Sequence, residues 1–415
     1  MMKKDYLHWR SKTTNETLKQ LKKNYKKFGI TRIANVTGLD HVGIPIYSAI
    51  RPNSKTIVSS AGKGLTDKES LISAVMESIE TEVAENLHQK FIFSCSWQDL
   101  PENNRVPINL LPIKSNFLLK KETIISWTLC KSFCDSKEIF LPTSLVTMSQ
   151  ESCKEQFTVT SMGSNGLASG MNFEDAFLSG LYELIERDAI KCWGYGMRYR
   201  KLMNAFIREE TIPYKTTKRL IKKIKEAGLT IYISDFSTDI DIPVFKCIVC
   251  GDVDDSISSC EGFGCHHNPE IAINRSITEA VQARTIIIAG SRDDFTENVF
   301  LKAGDFHRIF LNNSKKIIRE EFNQFKQYNQ TYQLFNNSKD AIKDIMTKFK
   351  ELSIKNLYYF QFLNAKPFTV LRLNCLDLVP YIPGSEETSF LPHPRYGLFT
   401  PKIFGIRKAI FKLNN

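Results

Sequence analysis

Glu183 and Glu186 lie three residues apart in the stretch LSGLYELIERDAIKCW, among Leu181, Tyr182, Leu184, Ile185, Ala189 and Ile190. Helical spacing puts both carboxylates on one face, with Cβ atoms about 5–6 Å apart. Two such charges repel by about 3 kcal/mol at ~6 Å when the effective dielectric is about 20. Burial adds a desolvation cost, so either the pKa values rise or a cation intervenes. An earlier stretch repeats the arrangement. In SAVMESIE, Ser73, Glu77 and Glu80 match Ser179, Glu183 and Glu186 of SGLYELIE, and the same offset pairs Glu69 with Asp175 and Gly64 with Gly170. A weaker third copy, RSITEAVQAR, is read with Glu279 and Gln282 at the two acidic positions and Glu270 near the Glu69 place. Three Gly-rich turns thus each lead into an acidic helix. Convergence of the three would make an oxygen-rich pocket suited to a hard cation such as Mg²⁺, which brings phosphate ligands with it.

Basic residues accompany the acids: Lys63 lies in the first Gly-rich turn, Arg187 follows the second pair and Arg284 follows the third copy. Cations beside a carboxylate face hold the phosphate oxygens that metals do not reach. A single E-x-x-E pattern is ordinarily a solvated helix stripe; matched serines and glycines in two copies argue for a site. Other chemistries have less support. No G-x-x-x-x-G-K-[ST] is present, so nucleotide binding is not of the P-loop kind. Cys247 and Cys250, with Cys260, Cys265, His266 and His267 further on, invite a zinc reading, but they fall in a predicted strand without a second C-x-x-C. A Cys–His nucleophile at Cys265 or Cys192 lacks a signature, and His41 in DHVGIP reads as a turn residue.

These helices need a scaffold. The chain has 415 residues, 42% of them hydrophobic and 24% charged, enough to bury a large core without staples. Its start, MMKKDYLHWRSK, precedes no apolar run, and no stretch approaches the ~20 apolar residues of a membrane span. Ten scattered cysteines suit reduced thiols and a cytoplasmic location. The net charge of +11 is spread over runs such as KQLKKNYKK and KRLIKKIKE, without a nucleic-acid-binding signature, and an electropositive field equally favours a nucleotide or an acidic peptide. Periodicity predicts a basic helix or arm over 1–30, two strands around the Gly38–Gly43 turn, and a helix from Asp67 to Leu87. Short strands are predicted at IISWTLCKSF and EIFLPTSLV, an αβ insertion over 213–252, a charged helical segment over 300–352, and a strand at PFTVLRLNCLDLV. The expected organisation is an arm (1–30), one catalytic unit (31–383) and a tail (384–415).

With these residues assembled, the chain resembles the YcaO superfamily from about Ile30 to about Pro383. The resemblance is carried by SSAGKGLTDKESLISAVMESIE, GSNGLASGMNFEDAFLSGLYELIERDA and GFGCHHNPEIAINRSITEAVQARTIIIAGSRDD, in that order. ITRIANVTGLDHVGIPIYSAIRPNS looks like the branch encoded beside TfuA-like proteins. The resemblance implies an α/β fold of pseudo-symmetric layers, mixed β-sheet and helices, with acidic helices lining an ATP–Mg²⁺ site. It implies activation of a peptide backbone amide, whose oxygen takes the γ-phosphoryl of ATP. Loss of phosphate then gives an azoline, a thioamide or an amidine. Carried over by position, Ser73, Glu77, Glu80, Glu183, Glu186 and Arg187 form that site, Glu279, Gln282 and Arg284 complete it, and Lys63 reaches a phosphate. Glu77, Glu80, Asp175, Glu183, Glu186 and Glu279 are the expected metal ligands, and Glu183, Glu186 and Arg187 the expected catalytic residues.

The sequence departs from the family pattern after the S-N-G loop, where Gly170 is followed by Met171, Asn172 comes one place late, and Asp175 stands where Glu is usual. The P-x-P-x-P ending of azoline formers is absent; the tail has Pro392 and Pro394 and continues to Asn415. The favoured expectation is therefore thioamide formation on a ribosomally made peptide or protein, assisted by a TfuA-like partner. A leader-peptide-binding protein is expected to help capture substrate, and a homodimer is expected. An azoline-forming cyclodehydratase and a non-catalytic scaffold in a peptide-maturation complex are the alternatives.

Overall fold

A computed structural model describes residues 9–399 apart from 115–118, 154, 156–157, 201–205, 252–258, 291–326, 329–332, 334 and 381–392. The expected charged helical segment therefore lies largely outside the described residues, as does most of the tail, Pro392 included.

Three β-sheets carry the described fold, and every strand pair in them is antiparallel. One contains β1 (Arg32–Asn35), β2 (Ile46–Ile50) and β3 (Ser59–Lys63) in that order. A second orders β10 (Ser259–Cys265), β9 (Val244–Cys250) and β8 (Thr230–Asp235). The largest orders β4 (Phe93–Ser96), β5 (Ile124–Ser132), β11 (Leu357–Phe362), β12 (Thr369–Cys375) and β7 (Leu167–Gly170), with β6 (Glu138–Pro142) also on β5. The helices are α1 (Thr14–Asn24), α2 (Asp67–Glu85), α3 (Phe173–Arg200), α4 (Lys215–Glu226), α5 (Pro269–Ala289) and α6 (Ser338–Glu351).

The predicted basic arm contains α1, started by a capping box in which Thr13 and Glu16 satisfy each other's backbone N–H groups. Trp9 ahead of it is buried in the core beside α3 and α6. Strand β12 reads as a near-continuous apolar run because both its faces are covered. Val370 joins the core under α2 (Val75, Ile79, Val83), whereas Leu371 and Leu373 join the core of α3 (Phe177, Leu181, Ile185) and α6 (Phe349). A third core packs α4 and α5 on β8 and β9.

One expectation needs correcting. The three Gly-rich segments preceding α2, α3 and α5 are strands β3, β7 and β10, not turns. Glycine disfavours strands, but here the helix backbone lies directly on the strand. A Cβ on Gly62 would come within 2.0 Å of Ala74 N and 2.2 Å of Ser70 O; one on Gly262 would meet Ala280 N and Ser276 O at 2.2 Å each. Ser70 Oγ donates to Gly62 O across this contact at 2.7 Å. Likewise a Cβ on Gly64, Gly170 or Gly264 would strike Ser70 N at 2.6 Å, Ala176 N at 2.4 Å or Ser276 N at 2.8 Å. The same strand–helix contact is thus built three times.

Gly62→Ala and Gly262→Ala should each cost about 3 kcal/mol, because a methyl group would press on backbone atoms that cannot rotate away. Gly163→Ala, where nothing lies within 4 Å of the new Cβ, should leave stability unchanged. Thermal unfolding of the three variants compares them directly.

Candidate functional site

The glycine contacts fix which helix positions are equivalent, and they alter the third copy. Glu69, Asp175 and Arg275 each stand beside the equivalent glycine (Gly64, Gly170, Gly264). By that register Glu279 corresponds to Ser73 and Ser179, not to the first glutamate of each pair. The sequence alignment of the third copy is one helical turn out: Gly264 meets the helix residue eleven positions on, where Gly64 meets the one five positions on, although three residues separate strand from helix in both copies.

The acids nevertheless converge. Lys63, at the end of β3, forms an ion pair with Glu279 on α5. Gln282 Nε2 donates to Ala61 O on β3 at 2.6 Å. Ser169 Oγ, on β7, donates to Glu80 Oε1 on α2 at 2.5 Å. Arg187 bridges its own helix face, 3.7 Å from Glu183 Oε1 and 3.7 Å from Glu186 Oε1. Glu183 and Glu279 keep 21% and 25% of their side-chain surface, and Glu186 keeps 8%. All three keep some contact with water.

Charge in this cluster is poorly balanced. Burial, with Glu77 and Glu183 nearby, pushes Glu80 up to about 8 despite the Ser169 hydrogen bond. Burial also raises Glu186 to about 7, with Glu279 adding to the effect and Arg187 opposing it. Glu183 is raised by burial against the pull of Arg187 and Arg372. Glu279 goes the other way: burial would raise it, but Lys63, Arg187 and Arg275 together hold it below the ordinary range. Beneath the cluster, the buried guanidinium of Arg372 donates to the carbonyls of Asn165 (2.8 Å), Val146 (3.2 Å) and Thr147 (3.5 Å). It braces the S-N-G loop while its charge faces Glu183 and Glu80.

Other expected residues are placed differently. Arg284 is buried against Asp40, its Nε 3.2 Å from Oδ2, so its charge serves the loop after β1. Asp175 has both oxygens engaged: Ser338 Oγ donates at 2.7 Å, Ser11 N at 3.0 Å and Ser11 Oγ at 2.5 Å. It ties the segment at Trp9–Ser11 to α3 and α6. Ser73 is half-buried one turn ahead of Glu77, which is exposed. Two cations were missed in the sequence. Arg10, between the anchored Trp9 and Ser11, lies within electrostatic reach of Asp175 and Glu80, and Arg275 lies near Glu186 and Glu279. Arg10 keeps an exposed side chain, and Arg275 lies close enough to repel it. Arg275 was legible only through its equivalence to Asp175; Arg10 carried no signal.

Behind α3, Tyr182 O–H donates to His267 Nδ1 at 2.7 Å, and His267 Nε2–H donates to Asp344 at 3.0 Å. Burial holds His267 down to about 4, against the pull of Asp344. Burial raises the Cys192 and Cys265 thiols far above the ordinary range, so neither is an activated nucleophile. His41 hydrogen-bonds the Ala227 carbonyl at 2.9 Å, a structural contact. No three described histidine, cysteine or acidic side chains are poised to chelate an ion. An open array of mutually repelling carboxylates still fits Mg²⁺, which takes one or two carboxylates and completes its shell with water and phosphate.

Comparison with known proteins agrees with this chemistry. The family model for the YcaO cyclodehydratases, described as ATP- and Mg²⁺-binding, matches residues 61–373. The chain belongs to the YcaO family. A relative from Rhizobium leguminosarum bv. trifolii, an uncharacterized protein in the tfuA 3′ region, is 32% identical over 313 residues, covering 71% of each chain. An uncharacterized protein of Methanothermobacter thermautotrophicus is 29% identical over 306 residues, 73% of this chain and 78% of the other. Among solved structures, YcaO from Methanopyrus kandleri bound with AMPPCP and Mg²⁺ superposes with a TM-score of 0.68 at 17% identity, covering 93% and 96% of the two chains. A heterocyclase in complex with substrate and cofactor gives 0.66 at 17% identity, covering 90% of this chain and 53% of the other. The α/β fold expected from the sequence is the YcaO fold.

The raised carboxyls set a pH dependence. Glu80 and Glu186 hold protons in the folded protein at pH values where free glutamates have lost them. As pH rises from about 4.5 to 8 the folded state binds more protons than the unfolded one, so the metal-free protein should lose stability across that window. A cation held by these carboxylates would expel the protons, and Mg²⁺–nucleotide affinity would then rise from pH 6 to 8. Calorimetry in buffers of different ionisation enthalpy should register proton release, and Glu80→Gln should reduce it.

Proposed function

We propose that this YcaO protein uses ATP and Mg²⁺ to phosphorylate a backbone amide in a ribosomally made peptide or protein, and that the product is a thioamide formed with a TfuA-like partner. The observation that carries the reading is the joining of three strand–helix units at one carboxylate cluster. There Glu80, Glu183, Glu186 and Glu279 meet with their charge incompletely matched by Lys63 and Arg187.

In this reading Glu80, Glu183, Glu186 and Glu279, with Glu77 at the rim, hold Mg²⁺, and Arg10, Arg275 and Arg187 take phosphate oxygens. Bound ATP–Mg²⁺ supplies the phosphoryl group and neutralises charge on it. The protein's share is positioning and a preorganised field, which dominate phosphoryl transfer. Lys63 keeps Glu279 ionised, and Arg187 partly offsets the burial that raises Glu183 and Glu186. Asp175 serves as the holder of the Trp9–Ser11 segment and so of Arg10, a role that accounts for Asp in place of Glu. Arg284 is assigned to the support of α5 through Asp40.

The tfuA-region relative favours the thioamide. The likeness to a heterocyclase and to the Escherichia coli microcin synthetase complex with pro-MccB17 keeps the azoline product as the second reading.

Calorimetry with ATP and Mg²⁺ should show metal-dependent binding that Glu183→Gln weakens by about a hundredfold, the scale of a lost charge-assisted contact. Absence of Mg²⁺-dependent binding would defeat the enzyme reading. Mass spectrometry of a peptide encoded beside the gene and co-expressed with it should show oxygen exchanged for sulfur. Loss of one water would instead identify an azoline former.

A further inference from the structure

Away from the acidic cluster, a groove of about 330 Å³ runs between α1 and β1 over α2, lined by Leu21, Lys22, Tyr25, Ile33, Leu71 and Val75. Its floor and walls are apolar, and the one charged residue among them is Lys22. Lys19, Lys22 and Lys26 recur along α1 and its continuation at helical spacing, all exposed, and Arg32 is exposed on β1.

Strand β1 borders this groove with an open edge. It lies at the end of its sheet and pairs with β2 alone among the described residues. Val36 N donates to Ile46 O, and hydrogen-bonded positions alternate along an antiparallel pair. Arg32 and Ala34 therefore bond to β2, and the N–H and C=O groups of Ile33 and Asn35 point outward. A strand edge beside an apolar groove with a basic rim is the geometry for adding an extended peptide.

We infer that this groove docks an extended acidic segment of the peptide or protein substrate, as a fourth strand on β1. The inference rests on the peptide-modifying reading above. Alternate side chains of the docked strand would enter the groove against Leu71 and Val75, and those between would carry acids toward Arg32 and the α1 lysines. The +11 net charge of the chain draws such a segment in. The amide to be modified would then be presented from a tether, and the acidic cluster would need no affinity of its own for an acidic sequence.

The test uses a short fluorescein-labelled peptide of alternating glutamate and valine, with lysine in place of glutamate as control, followed by anisotropy on the full chain. The acidic peptide should bind and the basic one should not. Ile33→Pro removes an outward N–H from the edge together with the Ile33 side chain that lines the groove; Leu71→Arg fills the groove; Lys22→Glu with Arg32→Glu changes exposed charges without touching the core. Each should weaken binding by about tenfold or more, one interaction's worth. Affinity for Mg²⁺–AMPPCP should stay unchanged. Binding indifferent to all three variants, or no binding of the acidic peptide, overturns the groove. A concentration-dependent dimer that Ile33→Pro dissociates also overturns it, by giving the edge to a second copy. Loss of Mg²⁺–AMPPCP binding in the unaltered protein would strike the enzyme reading and not the groove.

Discussion

The structure depends on helix backbone lying against strand backbone at three equivalent places. Gly62, Gly64, Gly170, Gly262 and Gly264 allow α2, α3 and α5 to descend onto β3, β7 and β10 until amide and carbonyl groups touch the strand. A side chain at any of these positions would lift its helix away. The carboxylates reach one another because at these glycines no side chain separates helix from strand; in β7 the small Ala168 stands where β3 and β10 have Gly62 and Gly262.

That proximity creates the electrostatic problem which the cations divide among themselves. Lys63 and Arg187 are spent on Glu279 and on the Glu183–Glu186 pair, and Arg372 lies underneath, held by carbonyls of the loop it supports. Arg10 and Arg275 approach the cluster closely enough to repel one another. Two like charges brought together beside an acidic wall suit an anion that carries its own metal. Glu80 and Glu186 absorb the remaining imbalance by keeping protons near neutral pH.

The N-terminal segment belongs to this arrangement. Trp9 packs against His266, His267 and Phe335, and its carbonyl lies 3.0 Å from Ser338 Oγ. Ser11 is held by Asp175. A stretch that reads in sequence as a detached basic arm thereby brings Arg10 within electrostatic reach of Asp175 and Glu80, while α1 behind it forms one wall of a separate apolar groove.

The helices were legible because their apolar periodicity is strong, and the pairing of Glu77–Glu80 with Glu183–Glu186 was legible because serines and glycines repeat at one offset. Strands β3, β7 and β10 were not, since glycine content signals a turn locally and a close approach only when the helix above is known. The third copy was misaligned by a turn for the same reason: periodicity alone accepts any shift that keeps acids on one face, and a glycine contact accepts one. By itself the sequence determined the family, the acidic helices and the hard-cation chemistry, all properties of local pattern. Tertiary structure alone decided which cations face the acids. Arg284 and Asp175 turn to Asp40 and Ser11, whereas Arg10 and Arg275 arrive from distant segments. Coulomb energy depends on distance in space, and that distance is set by packing and not by spacing along the chain.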